Sequence, residues 1–383
     1  MLLLHEIQFR SSPFIELKSL GELAAEERER FADLERDPDF YGLLVPKPPL
    51  TMNLMSVARD TAELFQSLAT PSRLGNRVLD DHTYAADVVD LVLDGILEIE
   101  CGDGFVSGAD ALPVLCPDLP EPALPDGAAR LSHDALLHAE DLASSDPRTL
   151  THALYQYNRI PITPFWKTRF ADAEAILAYL GADRGALRSL LEREWKASRA
   201  LPGFLSWSSR MQVRRGPEDV TYKLYVSPRP ERIREAFEVV VRVLSAFPET
   251  PFKIGSNAAG LLRPDKLMLY FAAREPLVEL GEILRRELAG CDAHGVPFTA
   301  GLDDTGLLSW GVDPPESERA LRWLGGNSWR YWVAKRLASA LAVAKTARSA
   351  AAVAPWRFAL ERARRHGVDI ETWTPSATLW SAA

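Results

Sequence analysis

The sequence predicts a mixed α+β protein in three parts: an N-terminal unit of strands and helices closed by a tight hairpin, a helical middle, and a C-terminal mixed α/β unit. Three observations carry this. The run LVLDGILEIECGDGFV ends a helix at Asp94-Gly95 and doubles a strand back through Gly102-Asp103-Gly104. The run PDLPEPALPDG is too rich in proline to continue a helix or a central strand. From residue 220 the apolar pattern reads strand, helix, strand, strand, helix, then an irregular stretch over 294–315. The expected units are therefore 1–115, a linker at 116–130, a helical region at 131–215 and an α+β unit at 216–383.

Composition bounds the function. The 383 residues are enough for two or three units, and 47% hydrophobic with 25% charged residues is ordinary for a packed protein. A formal net charge of -9 disfavours a general nucleic-acid binder, which needs positive surface to neutralise phosphates. Cys101, Cys116 and Cys291 form no CxxC pair, so reduced thiols in a cytoplasmic protein are expected and structural zinc is not. The start, MLLLHEIQF, is too short an apolar run for a signal peptide or a membrane span. The Ala-rich stretch from Ala334 to Ala354 is broken by Lys335, Arg336, Lys345 and Arg348, so no membrane partner is expected.

In the first unit, short strands are expected over 2–9 and 14–17, and a charged helix from Gly21 to Arg36, stopped by Asp37-Pro38. Leu54, Val57, Ala58, Leu64, Phe65 and Leu68 recur at helical spacing, and a second amphipathic helix spans Thr83 to Leu93. Gly102, Gly104 and Gly108 do not make a dinucleotide loop, because the last glycine is one position late. Strands, helices and then a wing, legible above all from Tyr84 to Ser107, resemble the small winged-helix, PqqD-like domains that bind leader peptides in ribosomal-peptide natural-product pathways. That resemblance implies a precursor peptide adding a strand to the sheet edge through main-chain hydrogen bonds. A winged helix used only for packing is the plain alternative.

Helices are expected from Leu131 to Leu142 and from Pro147 to Gln156, followed by LYQYNRIPITPFWKTRF. Pro161 and Pro164 force this segment into an extended path that carries Tyr155, Tyr157, Asn158, Arg159, Trp166, Lys167 and Arg169. Amphipathic aromatics suit either a ligand-facing strap or a buried connector. Helices follow over Asp172 to Leu180 and Arg184 to Ser198, and the closing ones run from Asn327 to Ala350 and from Arg357 to His366. Trp332, Val333, Leu337 and Leu341 give the first of these a core stripe, with Arg330, Lys335, Arg336 and Lys345 on a solvated face. The end of the chain, with Trp373 and Trp380, docks on the body or on a second copy, which leaves a homodimer open.

The chemistry concentrates in PFKIGSNAAGLLRPDKLMLYF. Lys253, Arg263, Asp265 and Lys266 stand at strand ends among turn amides, where an anionic or peptide ligand is held or an edge is solubilised. Together YKLYVSPRP, PFKIG, RPDKLMLYF and HGVPFTAGLDD resemble the HopA-type family of type III effectors and their relatives. Some of those relatives are lyases of phosphorylated Ser or Thr in lanthipeptide and thioamide pathways. The resemblance covers the chain from residue 216 onward. It departs at Ser309-Trp310-Gly311, which runs into Val312-Asp313-Pro314-Pro315 rather than an arginine, and so sets an acid where a phosphate would sit.

A lyase needs a base at the α proton and an acid for the leaving group. Lys253 is the candidate base, Lys223 and Arg263 the phosphate ligands, and His294 the acid. Asp303, Asp304 and Asp313 suit a ligand with cationic or amide groups, or merely solvate their loop. His138, Glu140 and His152 do not make an iron site, since helix residues two apart diverge, and HExxH, GxSxG and P-loop motifs are missing. No cofactor is expected. The expectation is a precursor-peptide-binding protein of ribosomally synthesised and post-translationally modified peptide pathways, with relatives among crocagin-pathway peptide-binding proteins and other pathway enzymes as partners. Its peptide contacts would be Tyr155, Tyr157, Asn158, Arg159, Trp166, Lys223, Arg263, Asp303 and Asp313. A phosphoserine or phosphothreonine lyase acting on such a precursor is the alternative, so whether the protein is an enzyme stays open.

Overall fold

A computed structural model describes residues 4–48, 50, 52–75, 82–119, 127–198, 201–210, 221–314, 328–347 and 353–376, and the fold is mixed α+β with a helical middle region. The Pro-rich run at 120–126, the stretch 211–220, both ends of the expected 327–350 helix and Trp380 lie outside the described residues.

The N-terminal part contains β1 (Gln8–Ser11), β2 (Ile15–Lys18), α1 (Ala25–Arg30), β3 (Gly42–Pro46), β4 (Met55–Val57), α2 (Arg59–Ser67), β5 (Ser72–Arg73), α3 (His82–Leu93), β6 (Leu97–Cys101), β7 (Gly104–Val106) and α4 (Gly108–Leu115). They form two antiparallel sheets, ordered β5-β1-β6-β7 and β2-β3-β4. The expected hairpin is β6–β7, turned at Gly102 with φ +59°. Two expectations are corrected. The segment from Gly21 to Arg36 is three short pieces rather than one helix, because its AAEERER stretch offers no apolar stripe to bury. Met55–Val57, expected to belong to a helix, pairs with β3 instead, and helix begins after the extended Ala58.

The middle contains α5 (Gly127–Asp141), α6 (Pro147–Gln156), α7 (Pro164–Arg169), α8 (Ala173–Leu180) and α9 (Gly185–Glu194). Asp146, Thr163 and Asp172 cap α6, α7 and α8 through side-chain oxygens that accept backbone N–H bonds, which is why each helix starts where it does. The segment expected to be extended through Trp166 therefore turns helical at Pro164, a residue well suited to a first helical position.

The remaining elements are β8 (Trp195–Ser198), β9 (Phe204–Ser209), β10 (Tyr222–Val226), α10 (Ile233–Leu244), β11 (Phe252–Gly255), α11 (Ala258–Leu261), β12 (Leu267–Phe271), α12 (Arg274–Glu287), β13 (Ala300–Gly301), β14 (Leu308–Val312), α13 (Trp329–Ala344), α14 (Pro355–Arg365) and a small hairpin of β15 (Val368–Asp369) and β16 (Thr374–Pro375). Seven antiparallel strands make one sheet, ordered β13-β14-β10-β12-β11-β9-β8. It draws strands from both sides of residue 216. The stretch expected to be irregular holds β14, which pairs along its length with the central β10, and the expected helix to Ser198 ends at Glu194 where Trp195 joins β9.

Strand alternation divides the sheet's side chains between two environments. Leu224, Val226, Phe252, Ile254, Leu267, Leu269 and Leu308 point to one face and are buried against Phe237, Val240 and Leu244 of α10 and Leu277, Leu280 and Leu284 of α12. Each such side chain contributes roughly 1.5–3 kcal/mol on burial. The other face is partly covered by α13, whose Trp329 comes so close to β14 that a Cβ on Gly311 would lie 3.3 Å from it. The small side chains of Ala334, Ala338 and Ala342 let α13 pack among α4, α5, α6 and α14 in a second core.

Candidate functional site

The partly covered face is where charge is buried. Lys223 and Tyr225 of β10, Lys253 of β11, Met268 and Tyr270 of β12 and Ser309 of β14 all leave the sheet on this side. Pairing sets Ser309, Tyr225, Met268, Lys253 and Ser206 in one row across the strands, with Lys223 beside Tyr270 in the next.

Two carboxylates stand among the cations. Lys223 is paired with Asp313, just past β14, and both are buried. Arg263 donates to Asp265 from Nε and Nη2, each at 2.8 Å, and from Nη2 to the Tyr155 hydroxyl at 2.9 Å. Arg330, only 1% exposed, brings Nη1 within 2.8 Å of the same carboxylate as an ion pair rather than a directed hydrogen bond, while its Nε donates to the Pro297 carbonyl at 2.9 Å. Burial alone would raise the Asp265 carboxyl, but the two guanidinium groups outweigh it and hold it far below the usual carboxylate range. Burial opposes the charge on Arg263, yet Asp265 pushes that guanidinium upward on balance.

Lys253 differs. Among the described residues no carboxylate lies within ion-pair reach of it, and its ammonium rests 4.3 Å from the Phe204 ring centroid and 5.5 Å from that of Tyr270. Burial, followed by the neighbouring Lys223 charge, lowers it to about 8. About a tenth of the amine is therefore neutral at pH 7. Burial raises the Tyr225 phenol well above its ordinary value, with Asp265 and Asp313 adding to the effect and Arg330 opposing it.

A second network lies beside this face. Lys266, fully buried, donates from Nζ to the Pro228 carbonyl at 2.9 Å and sits 2.7 Å from His294 Nδ1. His294 Nε2 meets the Asn158 carbonyl, so both ring nitrogens are engaged. Burial, then the Lys266 charge, lowers His294 to about 3 and leaves it neutral. His294, the expected acid, thus sits in this second network with both ring nitrogens bonded. Burial likewise brings Lys266 down to about 7.

The other expected residues divide. Tyr155 reaches the site through Arg263, and Arg159 donates to the Ala259 carbonyl at 3.0 Å. Asn158 adopts φ 63° and donates to the His294 carbonyl at 2.7 Å, which pins the strap to the 294 loop. Tyr157 turns away towards His138, with ring centroids 5.5 Å apart. Trp166 is corrected from a ligand contact to a core residue: it is 9% exposed and stacks on Phe170. Asp303 stands apart from this face, and its carboxylate accepts the backbone N–H groups of Thr305, Gly306, Leu307 and Leu308. Sequence reasoning missed Tyr225, Tyr270 and Arg330. Strand alternation from Lys223 was signal enough for Tyr225, whereas Arg330 had the appearance of a solvated face.

Two clefts lie elsewhere. One of about 390 Å³ sits between the β6–β7 hairpin and the C-terminal half of α13, lined in part by Arg10, Met52, Phe105, Val106 and Val343. The other, about 720 Å³, is bordered by Asp303, Asp304, Trp310 and Glu371. Among the described residues no group of three or more His, Cys, Asp or Glu is placed to hold a metal ion, and no helix is long and apolar enough to cross a membrane.

No family model and no curated protein matches the sequence. Among solved structures, an effector protein from Pseudomonas syringae pv. tomato strain DC3000 is similar at 12% identity and a TM-score of 0.38, covering 65% of this chain and 98% of that one. The type III effector and phosphothreonine lyase OspF from Shigella flexneri is similar at 13% identity and 0.29, over 49% of this chain and 98% of its own. The phosphothreonine lyase SpvC from Salmonella stands at 12% and 0.28, over 53% and 98%. At this distance the likenesses settle no chemistry, which rests on the geometry above.

Proposed function

We propose that the protein acts on a peptide at the Lys253 face and eliminates phosphate from phosphoserine or phosphothreonine without a cofactor. The observation that carries this reading is Lys253 itself: a half-buried amine with no carboxylate in ion-pair reach among the described residues, lowered to about 8, beside a cluster of cations. The neutral amine takes the proton on Cα, the C–H electrons become the Cα=Cβ double bond, and the Cβ–O bond breaks with its electron pair leaving on phosphate. Lys253 then hands its proton to the phosphate, which departs as the hydrogen phosphate dianion. With Lys253 neutral, Lys223, Arg263 and Arg330 stand against Asp265 and Asp313, an excess of one positive charge among these groups, and the Lys253 ammonium formed in the first step raises it to two while negative charge gathers on the leaving phosphate. Mass spectrometry of phosphopeptides tests the proposal. Loss of the elements of phosphoric acid with the wild-type protein and none with Lys253→Ala is expected, and an unchanged peptide mass with both overturns it.

A second reading, capture of a precursor peptide without chemistry, is favoured by one observation: Asp313 and Asp265 already occupy Lys223 and Arg263, the cations best placed to hold a phosphate. In that reading the protein is a cytoplasmic carrier in a ribosomal-peptide pathway. The precursor adds a strand beside β7, next to the 390 Å³ cleft. Calorimetry with the precursor encoded nearest to the gene decides it. Binding with no change of mass supports the carrier, and no binding removes it.

A further inference from the structure

Three of the four large hydrophobic side chains that stand exposed among the described residues are Ile162, Phe165 and Leu201, at 46%, 59% and 49% exposure. Leu201 is distant in sequence from the other two, yet all lie on segments packed against the single helical turn α11. Leu201 begins a turn whose carbonyl accepts the N–H of Phe204, the residue whose ring lies 4.3 Å from the Lys253 ammonium. The same turn is seated on α11, since the Gly203 carbonyl accepts the Ser256 N–H and lies 2.9 Å from where a Cβ on Gly260 would be. The strap runs along α11 as well: Arg159 donates to the Ala259 carbonyl, the Ile160 N–H to the Leu262 carbonyl, and the Phe170 carbonyl accepts from Ala258.

The strap is held in place, not loose. Pro161, Pro164 and the Thr163 cap fix its path, and the Phe165 ring stands edge-on to Trp166 at 4.8 Å beneath the Arg169 guanidinium at 5.6 Å. Its charge is one-sided. Residues 147–171 contain no Asp or Glu, in a chain with 53 of them and a net charge of -9. Among the described residues no carboxylate forms an ion pair with Arg159, Lys167 or Arg169, although Asp265 acts on Arg159 from farther off. Exposed aromatic and aliphatic side chains on a strap that carries Arg159, Lys167 and Arg169 suit one occupant, an extended peptide that is both apolar and acidic.

We infer that this rim receives a segment of the peptide substrate carrying a bulky apolar side chain among carboxylates, a few residues from the one that reacts at Lys253. The inference rests on the reading of the Lys253 face as a phosphopeptide site. It makes the protein selective for sequence around the phosphorylated residue.

The test compares three phosphopeptides: one with a Phe flanked by Glu near the phosphoserine, one with that Phe replaced by Ser, and one with the Glu residues replaced by Lys. Each is assayed with the wild-type protein and with a variant combining Ile162→Ser and Phe165→Ser, both exposed positions. Replacing either the Phe or the Glu residues is expected to raise KM about 10-fold with kcat unchanged, and the double variant is expected to erase the Phe preference. Phosphate loss at one common KM from all three peptides overturns the inference and leaves the lyase standing. If no peptide loses phosphate, the lyase reading fails, and calorimetry with the unphosphorylated Phe-Glu peptide decides the rim separately. Binding weakened about 10-fold by the double variant supports the rim, and equal or undetectable binding overturns it.

Discussion

Lys253 sets the expected pH dependence of the chemistry. In the proposed lyase the neutral amine is the base, so phosphate release is expected to rise about tenfold per pH unit below pH 8 and level off above it. A flat profile between pH 6 and 9 removes Lys253 as the base. Lys253→Arg keeps the positive charge but cannot deprotonate, and is expected to bind phosphopeptide while releasing no phosphate. Arg330 acts on Asp265 rather than on a ligand. Arg330→Met leaves a buried carboxylate with one guanidinium in place of two, which costs about 3–5 kcal/mol in a denaturant titration. A change below about 1 kcal/mol contradicts the two-arginine clamp, since that is the scale of a solvent-screened pair. Lys223, Arg263, Lys253 and Tyr155 were legible in the sequence, because cations and a tyrosine at strand ends and on a proline-fixed strap stand out from a solvated background. The Arg330 clamp was not. Nothing local distinguishes an arginine that turns inward, since its carboxylate is supplied by a distant loop.

Among the elements, β11 and α11 approach most closely where Gly255 meets Gly260. A Cβ on Gly255 would lie 2.3 Å from the Gly260 carbonyl carbon, and one on Gly260 would lie 2.8 Å from the Gly255 Cα. Gly255→Ala therefore forces backbone to move next to Lys253 and is expected to cost at least about 1–3 kcal/mol, with a loss of phosphopeptide binding larger than that of a surface Gly→Ala. An unchanged thermal midpoint contradicts this contact. The same elements show where pattern reading succeeds. α10 was visible because Ile233, Ala236, Phe237, Val240, Val241 and Leu244 repeat at helical spacing, and β12 because LMLYF is bounded by turn residues. β8 and β14 were hidden for a shared reason. The charged run before Trp195 continues without a breaker, and LSWGV is short and interrupted by glycine, so each is a strand only because a distant partner pairs with it.

At the scale of the whole molecule, Lys266 couples stability to pH. Its folded value is about 7 against an ordinary 10.5, so between those limits the unfolded chain binds more protons than the folded one. Stability is therefore expected to rise as pH increases from 7 towards 10.5, and the benefit to be lost as pH falls back to 7. Lys266→Met is expected to flatten that slope by up to one proton in denaturation midpoints measured from pH 7 to 10, and an identical slope excludes the buried lysine as its source. The long-range ties are of the same kind: Arg362 of α14 reaches Asp94, just past α3, at 2.7 Å, joining the N-terminal part to a C-terminal helix. Such ties explain why the units were easier to read than their docking, since docking is decided by single buried charges that no periodicity reveals. The clamp on Asp265 has a consequence in time. A ribosome making roughly 5–20 residues per second delivers Arg330 about 3–13 s after Asp265. During that interval the carboxylate has Arg263 as its only guanidinium partner of the two, so the clamp closes late in translation, when α13 emerges.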